Sequence, residues 1–461
     1  MSTPVTTTAD SVRTCPRCAA RLDADPRFTV WCPRCEWNLA PEPEAEPTEK
    51  SGAARTRAVR REQAAADRAE QLYRELAAGR GTATGRRDWL AAAAVAAVVH
   101  LATAALFGWA LWLLVTGNTP LRCLGAAALA VVVLLRPRLG RVPRDEHLLD
   151  RRRAPALYGL ADRIAAQLGT GPVGVIRIDG SFNASIGVVG LRRRTVLTLG
   201  LPLWEALDEQ QRIALLGHEF AHRVNADHRR GLWLSSAIGA LAHWHDLARP
   251  REHPGQPGGL RLLFQFAELI SGAVLHGLAW LFWRALLLLD RLTARAGQQA
   301  EYHADTLAAR TASTEAARGM LETLLLGGAV GTLVTRLRAD HQNRPRAGRR
   351  GMAARAGAAR AGAAHAEATR DLAPASDALW ERLRDHLAAV PPLERERLRR
   401  RSALDRCAVD ATHPPTHLRL ALLERSTPVP AAITTTPAEF TAITAELAPH
   451  RERVARVLLA G

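Results

Sequence analysis

Two histidines and a glutamate stand at a spacing that suits metal chemistry. His218, Glu219 and His222 form the pattern HExxH, in a segment whose apolar residues suit a partly buried helix. Positions four apart on a helix share a face, so both imidazoles point to one place. Imidazole nitrogens bind zinc, and the intervening glutamate can act as general base toward an attacking water. The pattern therefore predicts a zinc site for hydrolysis, with the histidines as ligands and Glu219 as base.

A third protein ligand is needed, because catalytic zinc typically has three protein ligands and one open position. The candidate is Glu301, in the sequence EYHAD. Asp305 lies one helical turn later, so we expect it to face the same site and to orient a ligating imidazole. The alternative for this acidic pair is a solvated helix with ordinary charges. Asp227, just beyond the second histidine, is a further candidate for orienting a ligand, with a helix C-terminal role as its alternative.

Four of the six cysteines form two CxxC pairs near the amino terminus, separated by thirteen residues. This spacing suits closure around one structural zinc. Four sulfur ligands leave no open position, so the site is expected to stabilise a module too small to have its own core. A redox dithiol and a rubredoxin-like iron site are the alternatives. The predicted ligands are Cys15, Cys18, Cys32 and Cys35.

Both active-site motifs, with three further segments, resemble the HtpX-type membrane metalloproteases, which are related to the CaaX prenyl proteases. The further segments are SFNAS at 181–185, LTLGL at 197–201 and HPPTHLR at 413–419. The resemblance implies zinc at His218, His222 and Glu301, catalysis by Glu219, and a substrate-binding edge strand at Asn183 and Ala184. The HPP segment offers His413 or Arg419 as a donor to the developing oxyanion. The alternative is structural, with proline fixing a turn and arginine pairing with a carboxylate.

Two apolar segments near the amino terminus predict a membrane hairpin. Residues 89–115 contain no charged side chain, and this length exceeds the roughly 20 residues needed to cross a bilayer. Residues 121–135 form a shorter apolar run that holds Arg122. Arginines flank the outer ends of the pair, so the positive-inside rule places both ends in the cytoplasm. These arginines are Arg86, Arg87, Arg136, Arg138, Arg141 and Arg144.

A third apolar block at 262–289 is long enough to cross but includes Glu268, His276 and Arg284. It is either a span or a buried core helix. His222 and Glu301 must meet on one side of the membrane, so the chain between them crosses an even number of times or not at all. Either residues 232–244 form a second limb, or neither segment crosses. We favour a hairpin or re-entrant pair, because arginines flank both segments.

The expected fold is mainly α, with a zincin-like α+β catalytic domain, transmembrane helices and a small zinc ribbon. A helix near 156–168 and strands near 174–178, 184–189 and 195–199 open the catalytic domain, and a solvated helix is expected over 55–80. The predicted regions are a zinc ribbon at 1–40, a linker and charged helix at 41–85, a transmembrane hairpin at 86–145, a metalloprotease domain at 150–345 with an apolar insertion at 230–290, a low-complexity insertion at 346–375, and a helical part with the HPP segment at 376–461.

Composition narrows the partners. The formal charge of +17 is almost wholly arginine, yet no aromatic-interleaved basic stripe is present, so no nucleic acid partner is expected. The first thirty residues contain no apolar signal region, and the cysteine pattern fits a reducing cytosol.

Together, these features predict a multi-pass cell-membrane endopeptidase with its catalytic site and ribbon facing the cytoplasm. It would hold one catalytic and one structural Zn²⁺ and cleave peptides or membrane proteins at the lipid bilayer, with quality control as its role. A non-catalytic scaffold whose ribbon recruits a partner and a CaaX-like prenyl-protein protease are the alternatives. The sequence predicts neither the physiological substrate nor the oligomeric state.

Overall fold

The computed structural model is mainly helical, with one four-stranded sheet and one small hairpin. It describes residues 13–22, 25, 27–41, 52–80, 86–136, 142, 146–190, 194–225, 228–249, 261–343, 372–404 and 414–460. The helices are α1 (Gly52–Ala77), α2 (Arg86–Thr116), α3 (Thr119–Leu135), α4 (Pro155–Gln167), α5 (Leu201–Ala206), α6 (Glu209–Asn225), α7 (His228–Ala248), α8 (Arg261–Ala312), α9 (Thr314–Leu324), α10 (Gly327–Asn343), α11 (Leu372–Ala388), α12 (Pro392–Leu404), α13 (Thr416–Arg425) and α14 (Pro437–Ala460).

The larger sheet opens the catalytic region. Its strands are β3 (Leu148–Leu149), β4 (Val175–Asp179), β5 (Ala184–Val189) and β6 (Arg194–Gly200), in the order β3-β4-β6-β5. The three strands expected from the sequence are confirmed to within one residue at each end. Strand β4 runs parallel to β6, and β5 runs antiparallel to β6 at the edge of the sheet. Because nothing pairs with the outer side of β5 among the described strands, it can accept an added strand.

A close approach fixes the turn that leads into β5. The amide of Gly200 donates a hydrogen bond of 2.9 Å to the carbonyl of Asn183. A Cβ at Gly200 would lie 1.9 Å from the carbonyl oxygen of Ser181 and 2.6 Å from that of Asn183. Both contacts are far below a van der Waals separation, so glycine is required where β6 ends.

One hydrophobic core joins this sheet to the helices around it. Helices α4, α5 and α6 bury apolar side chains against β4 and β6, and α9, α11 and α14 add theirs. Representative buried side chains are Leu157, Ile164, Ile176, Leu197, Trp204, Phe220, Leu321, Trp380 and Ile443. The helix expected near 156–168 is confirmed as α4, whose buried face is formed by its regularly spaced leucine, isoleucine and alanine residues.

Two of the described helices are long and apolar enough to cross a membrane. They are the segments Arg87–Thr116 of α2 and Gly272–Ala312 of α8. Helix α3 is apolar but shorter. The bent pair α9 and α10 would pass the same test only as a single span. Since α9 buries Ala317, Met320 and Leu321 in the catalytic core, we regard that pair as part of the core.

Helices α2, α3, α7 and α8 pack together as a separate apolar bundle. Its outer surface exposes large apolar side chains, among them Trp109, Trp112, Val133, Trp280 and Leu281. Monomeric soluble domains rarely expose apolar surfaces of this extent, whereas a bilayer accommodates them. The bundle is therefore the part of the chain suited to lipid.

Helix α7 lies against the half of this bundle where α2 begins and α3 ends. The indole of Trp233 donates to the carbonyl of Ala93 at 3.4 Å, and the indole of Trp244 donates to the carbonyl of Leu135 at 2.7 Å. The imidazole of His245 donates to the carbonyl of Ala279 in α8 at 3.0 Å. These contacts place α7 beside α2, α3 and α8 in the bundle.

Helix α8 connects the apolar bundle directly to the catalytic core. It has 52 residues without a break, about 78 Å at 1.5 Å per residue. Leu289 is buried in the bundle, whereas Ala308 and Ala312 are buried in the catalytic core against α6. Helix α8 is thus anchored on both sides of Glu301 and Asp305.

The charged helix α1 differs from its expected solvated state. Ala69 and Leu72 are buried in a cluster with Tyr302 of α8 and Leu418 of α13. Glu75 forms an ion pair with Arg295 of α8. The few large apolar residues of α1 lie on one face, so a mostly charged sequence still supplies a narrow packing stripe.

Candidate metal centre

Helix α6 carries the HExxH residues at the centre of the catalytic core. His218 and Glu219 are buried, and His222 is partly exposed. The Nε2 atoms of the two histidines lie 3.2 Å apart, with the rings edge to face. A carboxylate oxygen of Glu219 lies within 4.8 Å of the ligand atoms of both histidines. The expected convergence of two imidazoles and one carboxylate is therefore present.

Glu301 reaches the same point from α8. Its carboxylate oxygens lie 3.6 Å from Nε2 of His218 and 3.5 Å from Nε2 of His222. Ligand atoms about 2.0–2.1 Å from a tetrahedral zinc are separated by about 3.3 Å. The three donor groups are thus spaced as zinc ligands would be, and two imidazoles with one carboxylate form a ligand set known for catalytic zinc.

A glycine lets α6 and α8 approach closely enough for this arrangement. A Cβ at Gly217 would lie 3.2 Å from Cβ of Thr311 and 3.3 Å from Cα of Ala308. Both distances are tighter than ordinary packing, so a larger residue would push the two helices apart. Gly217 directly precedes the first histidine ligand, and displacement there would separate His218 from Glu301.

A buried ion pair supports the first histidine from behind. Oδ1 of Asp305 lies 3.1 Å from Nδ1 of His218. Arg419, from α13, donates to both carboxylate oxygens of Asp305, at 2.8 Å from Nε and 2.6 Å from Nη2. A carboxylate that accepts from Nδ1 leaves Nε2 of the ring available to a metal. The carboxylate therefore fixes the orientation and tautomer that a ligating imidazole needs.

The charges in the site are balanced locally. Burial disfavours a charged His218, but hydrogen bonds to Asp305 and Glu301 outweigh it and raise the pKa of the imidazole to about 9, so a metal that binds Nε2 must displace a proton. Burial also acts against the charge of Arg419, yet the neighbouring Asp305 carboxylate raises the pKa of the guanidinium above its usual value. Arg419 therefore stays charged and offsets the carboxylates that face the histidine.

The comparison with known proteins decides the family. The sequence model of peptidase family M48 matches residues 152–427, more than half of the chain. The chain belongs to peptidase family M48. This confirms the resemblance to the HtpX-type and CaaX-type proteases, and family membership implies zinc metalloprotease activity. No curated protein and no solved structure matches the chain.

The other predicted site residues of the M48 domain lie at the edge strand β5, beside Asp305, or outside the described residues. Asn183 is exposed just before the edge strand β5, and Ala184 is buried at its first position. Strand β5 packs against α6, the helix of the HExxH motif. Arg419 pairs with Asp305, and its Nη2 also lies 3.4 Å from Nδ1 of His218 and 3.6 Å from a carboxylate oxygen of Glu301. His413 and Asp227 lie outside the described residues.

The four amino-terminal cysteines converge as a second candidate metal centre of this M48 protein. Sγ of Cys15 lies 3.5 Å from Sγ of Cys35, and Sγ of Cys18 lies 3.6 Å from Sγ of Cys32. Zn–S bonds of about 2.3 Å in a tetrahedron place sulfurs about 3.8 Å apart. The hairpin of β1 (Arg13–Thr14) and β2 (Arg21–Leu22) holds the first pair. The cluster therefore fits a closed four-sulfur site.

Local electrostatics favour thiolate at one of these cysteines. Burial opposes ionisation of Cys32, but backbone amides of Arg34 and Cys35 donate toward its sulfur and lower the thiol pKa to about 7. Burial raises the pKa of Cys35 to about 12. Metal binding requires deprotonated sulfur, so a cluster that already stabilises one thiolate is prepared for a cation.

Sequence reasoning missed the residues that connect the parts of this protein. Gly217 had a visible signal, because it interrupts a helix of larger residues next to a ligand. Arg397 and Arg400 attach the cysteine module, which is the described part of residues 13–41 with its four cysteines, to α12. Both arginines stand in a run of charges that gives no sign of which one is buried.

Proposed function

We propose that this M48 protein is a membrane-embedded zinc endopeptidase with a zincin-like catalytic domain, in which His218, His222 and Glu301 hold the metal and Glu219 is the general base. The convergence of the two imidazoles and the Glu301 carboxylate, at separations of 3.2–3.6 Å, is the observation that carries the proposal. These residues come from two helices that are buried in one core, so the ligand set is rigid.

The chain's own residues supply the proton transfers. Zinc, when bound, provides Lewis acidity that polarises the scissile carbonyl and makes water easier to deprotonate. Glu219 takes a proton from the attacking water and delivers it to the leaving amine nitrogen. Asp305 holds His218 in one tautomer, and Arg419 keeps Asp305 ionised and in position.

We propose that substrate adds as a strand to β5. This strand lies at the edge of the described sheet and packs against α6. An extended peptide hydrogen-bonded to an edge strand is fixed by its backbone, which suits an enzyme that cleaves peptides of varied sequence. Asn183 and Ala184 stand at the beginning of that edge.

The apolar bundle supports a membrane location. The exposed tryptophans and leucines of α2, α3 and α8 require an apolar environment, and α8 leads from that environment to Glu301. A protease with this layout would act on proteins in or near the bilayer. We therefore favour membrane protein quality control as its role, with the site and the cysteine module in the cytoplasm.

A non-catalytic scaffold is the competing function. A scaffold needs metal ligands for stability, but it has no need of a buried glutamate beside two histidines, and Glu219 is buried in that position. Burying a carboxylate that serves no purpose is costly. A CaaX-like prenyl-protein protease is a second alternative. Cleavage of a peptide that carries no prenyl group would argue against it.

Metal removal tests the proposed activity. The detergent-solubilised chain should cleave an unfolded model protein, lose that activity on treatment with a zinc chelator, and regain it with added Zn²⁺. The readout is the appearance of new peptide ends by mass spectrometry. A preparation that holds zinc and cleaves no peptide would support the scaffold.

A further inference from the structure

The cysteine module is docked on the catalytic domain through a buried arginine of α12. Arg397 is 5% exposed, and its guanidinium donates to both carboxylate oxygens of Glu394, each at 2.7 Å. Its remaining described hydrogen bond goes to the carbonyl of Leu39 in the cysteine module, at 2.9 Å. A buried ion pair is stable only when its hydrogen-bonding groups have partners. The module supplies the last described partner of the Arg397–Glu394 pair.

A second arginine attaches the second CxxC pair of the module to the same helix. Arg400 donates to the carbonyl of Pro33 at 2.7 Å, and its guanidinium lies 5.4 Å from the ring centre of Trp31. It also lies 3.5 Å from the carboxylate of Glu36. Pro33 stands between two cysteine ligands, so the attachment is made at the candidate metal site itself.

Helix α12 is in turn joined to the helix that carries Arg419. The imidazole of His417, at the start of α13, donates to the carbonyl of Ser402 near the end of α12 at 3.2 Å. Arg419 then donates to Asp305, and Asp305 lies 3.1 Å from Nδ1 of His218. A continuous series of hydrogen bonds and packed helices thus connects the cysteine module to a proposed zinc ligand.

We propose that Arg397 is a positioning residue for the peptidase reaction, and that the folded cysteine module fixes α12 and α13 so that Arg419 holds Asp305 against His218. This rests on the proposed catalytic roles of His218 and Glu219. The module then acts as a brace for the active site, and loss of its metal lowers catalysis without touching the catalytic zinc.

The test compares two arginines of α12. Arg397→Gln removes the bond to the module and also the ion pair with Glu394, whereas Arg395→Gln removes bonds only to the carbonyls of Leu387 and Val390 within the catalytic domain. Arg397→Gln should lower kcat about fivefold to tenfold with KM within about twofold, at the lower end of the effects known for groups that orient metal ligands. Arg395→Gln should leave both within about twofold. Arg397→Lys, which retains the charge and a donor, should recover part of kcat.

Amide hydrogen exchange gives a readout that needs no activity. Arg397→Gln should speed exchange in residues 416–425, and Arg395→Gln should leave it unchanged. If Arg397→Gln does not fold, Arg400→Gln removes the more exposed attachment and should change exchange and kcat in the same direction. Unchanged kcat and unchanged exchange in α13 would overturn the proposal, as would a fall in activity that merely follows the folded fraction.

A double-mutant cycle separates a shared path from general weakening. Cys15→Ser with Cys18→Ser dismantles the module, so adding Arg397→Gln should cause little further loss of kcat. Losses that multiply would contradict a single path. If the parent shows no Glu219-dependent cleavage, the proposed function fails, while the exchange measurement still decides whether the module orders α13.

Discussion

At the scale of single residues, the pair of Asp305 and Arg419 explains how a buried histidine can be held in one orientation. Asp305 is 2% exposed and Arg419 is 6% exposed. Ions buried this deeply are costly unless they are paired with good geometry, and two short hydrogen bonds provide that geometry here. Asp305 can then accept a further hydrogen bond from His218.

Arg419→Gln should therefore be far more harmful than its distance from the metal suggests. It leaves Asp305 buried without its main partner, which is expected to cost about 3–5 kcal/mol of stability. It should also lower kcat about 10- to 100-fold, as for other groups that orient metal ligands. Denaturant unfolding and steady-state kinetics measure the two effects.

The same helix offers a control for this prediction. Arg425 is exposed at the end of α13, so Arg425→Gln should change stability by less than about 0.5 kcal/mol. Combining Asp305→Asn with Arg419→Gln should restore part of the lost stability, because neither partner then leaves a buried charge. A double variant as unstable as the sum of its singles would show that the two residues do not act as a pair.

How far the site could be predicted depended on sequence distance. The helical spacing of His218 and His222 fixes their shared face, and Glu301 with Asp305 follows the same rule. The partner of Arg419 was open, because Asp305 is 114 positions away and no local pattern relates them. The resemblance to a family located the HPP segment, but only the fold distinguishes a guanidinium aimed at a carboxylate from one free for an oxyanion.

At the scale of elements, the sequence predicted β4 and β6 from their apolar alternation and α2 from its long uncharged run. Local pattern determines both kinds of element. The burial of α1 could not be predicted, because its stripe of three large apolar residues is narrow. Docking of the cysteine module was also hidden, because Arg397 and Leu39 are 358 positions apart.

Replacing Cys15 and Cys18 by serine tests the cysteine module as an element. The closed four-sulfur site should lose its metal, so zinc analysis should fall from two ions per chain to one. The melting temperature should fall, because the attachment to α12 is lost. Glu219-dependent cleavage should stay measurable, though reduced. One zinc in the intact, fully loaded chain would show that one of the two proposed sites is wrong.

At the scale of the whole molecule, the path of the chain constrains the membrane arrangement. Helix α7 leads from α6 into the apolar bundle. The continuous helix α8 then leads from the same bundle back to α6, where it carries Glu301. In the proposed membrane arrangement, the chain therefore enters and leaves the bilayer on one side. The arginines at both ends of the α2–α3 hairpin favour the cytoplasm for that side.

A topology map should place residues 20 and 200 on the same, cytoplasmic side of the membrane. A single cysteine at either position, in a chain whose six native cysteines are replaced by serine, should react with a membrane-impermeant thiol reagent only after the cells are opened. Labelling of residue 200 in intact cells would contradict the proposed orientation.

The most direct test of the central claim is the substitution Glu219→Gln. It retains the size and hydrogen bonding of the side chain and removes the base, while His218, His222 and Glu301 remain to hold zinc. Zinc content should stay at two ions per chain, and cleavage of an unfolded protein should fall about a hundredfold or more. Glu301→Ala should lose the catalytic zinc and activity together. If Glu219→Gln cleaves as fast as the parent, Glu219 is not the base and the proteolysis arises elsewhere.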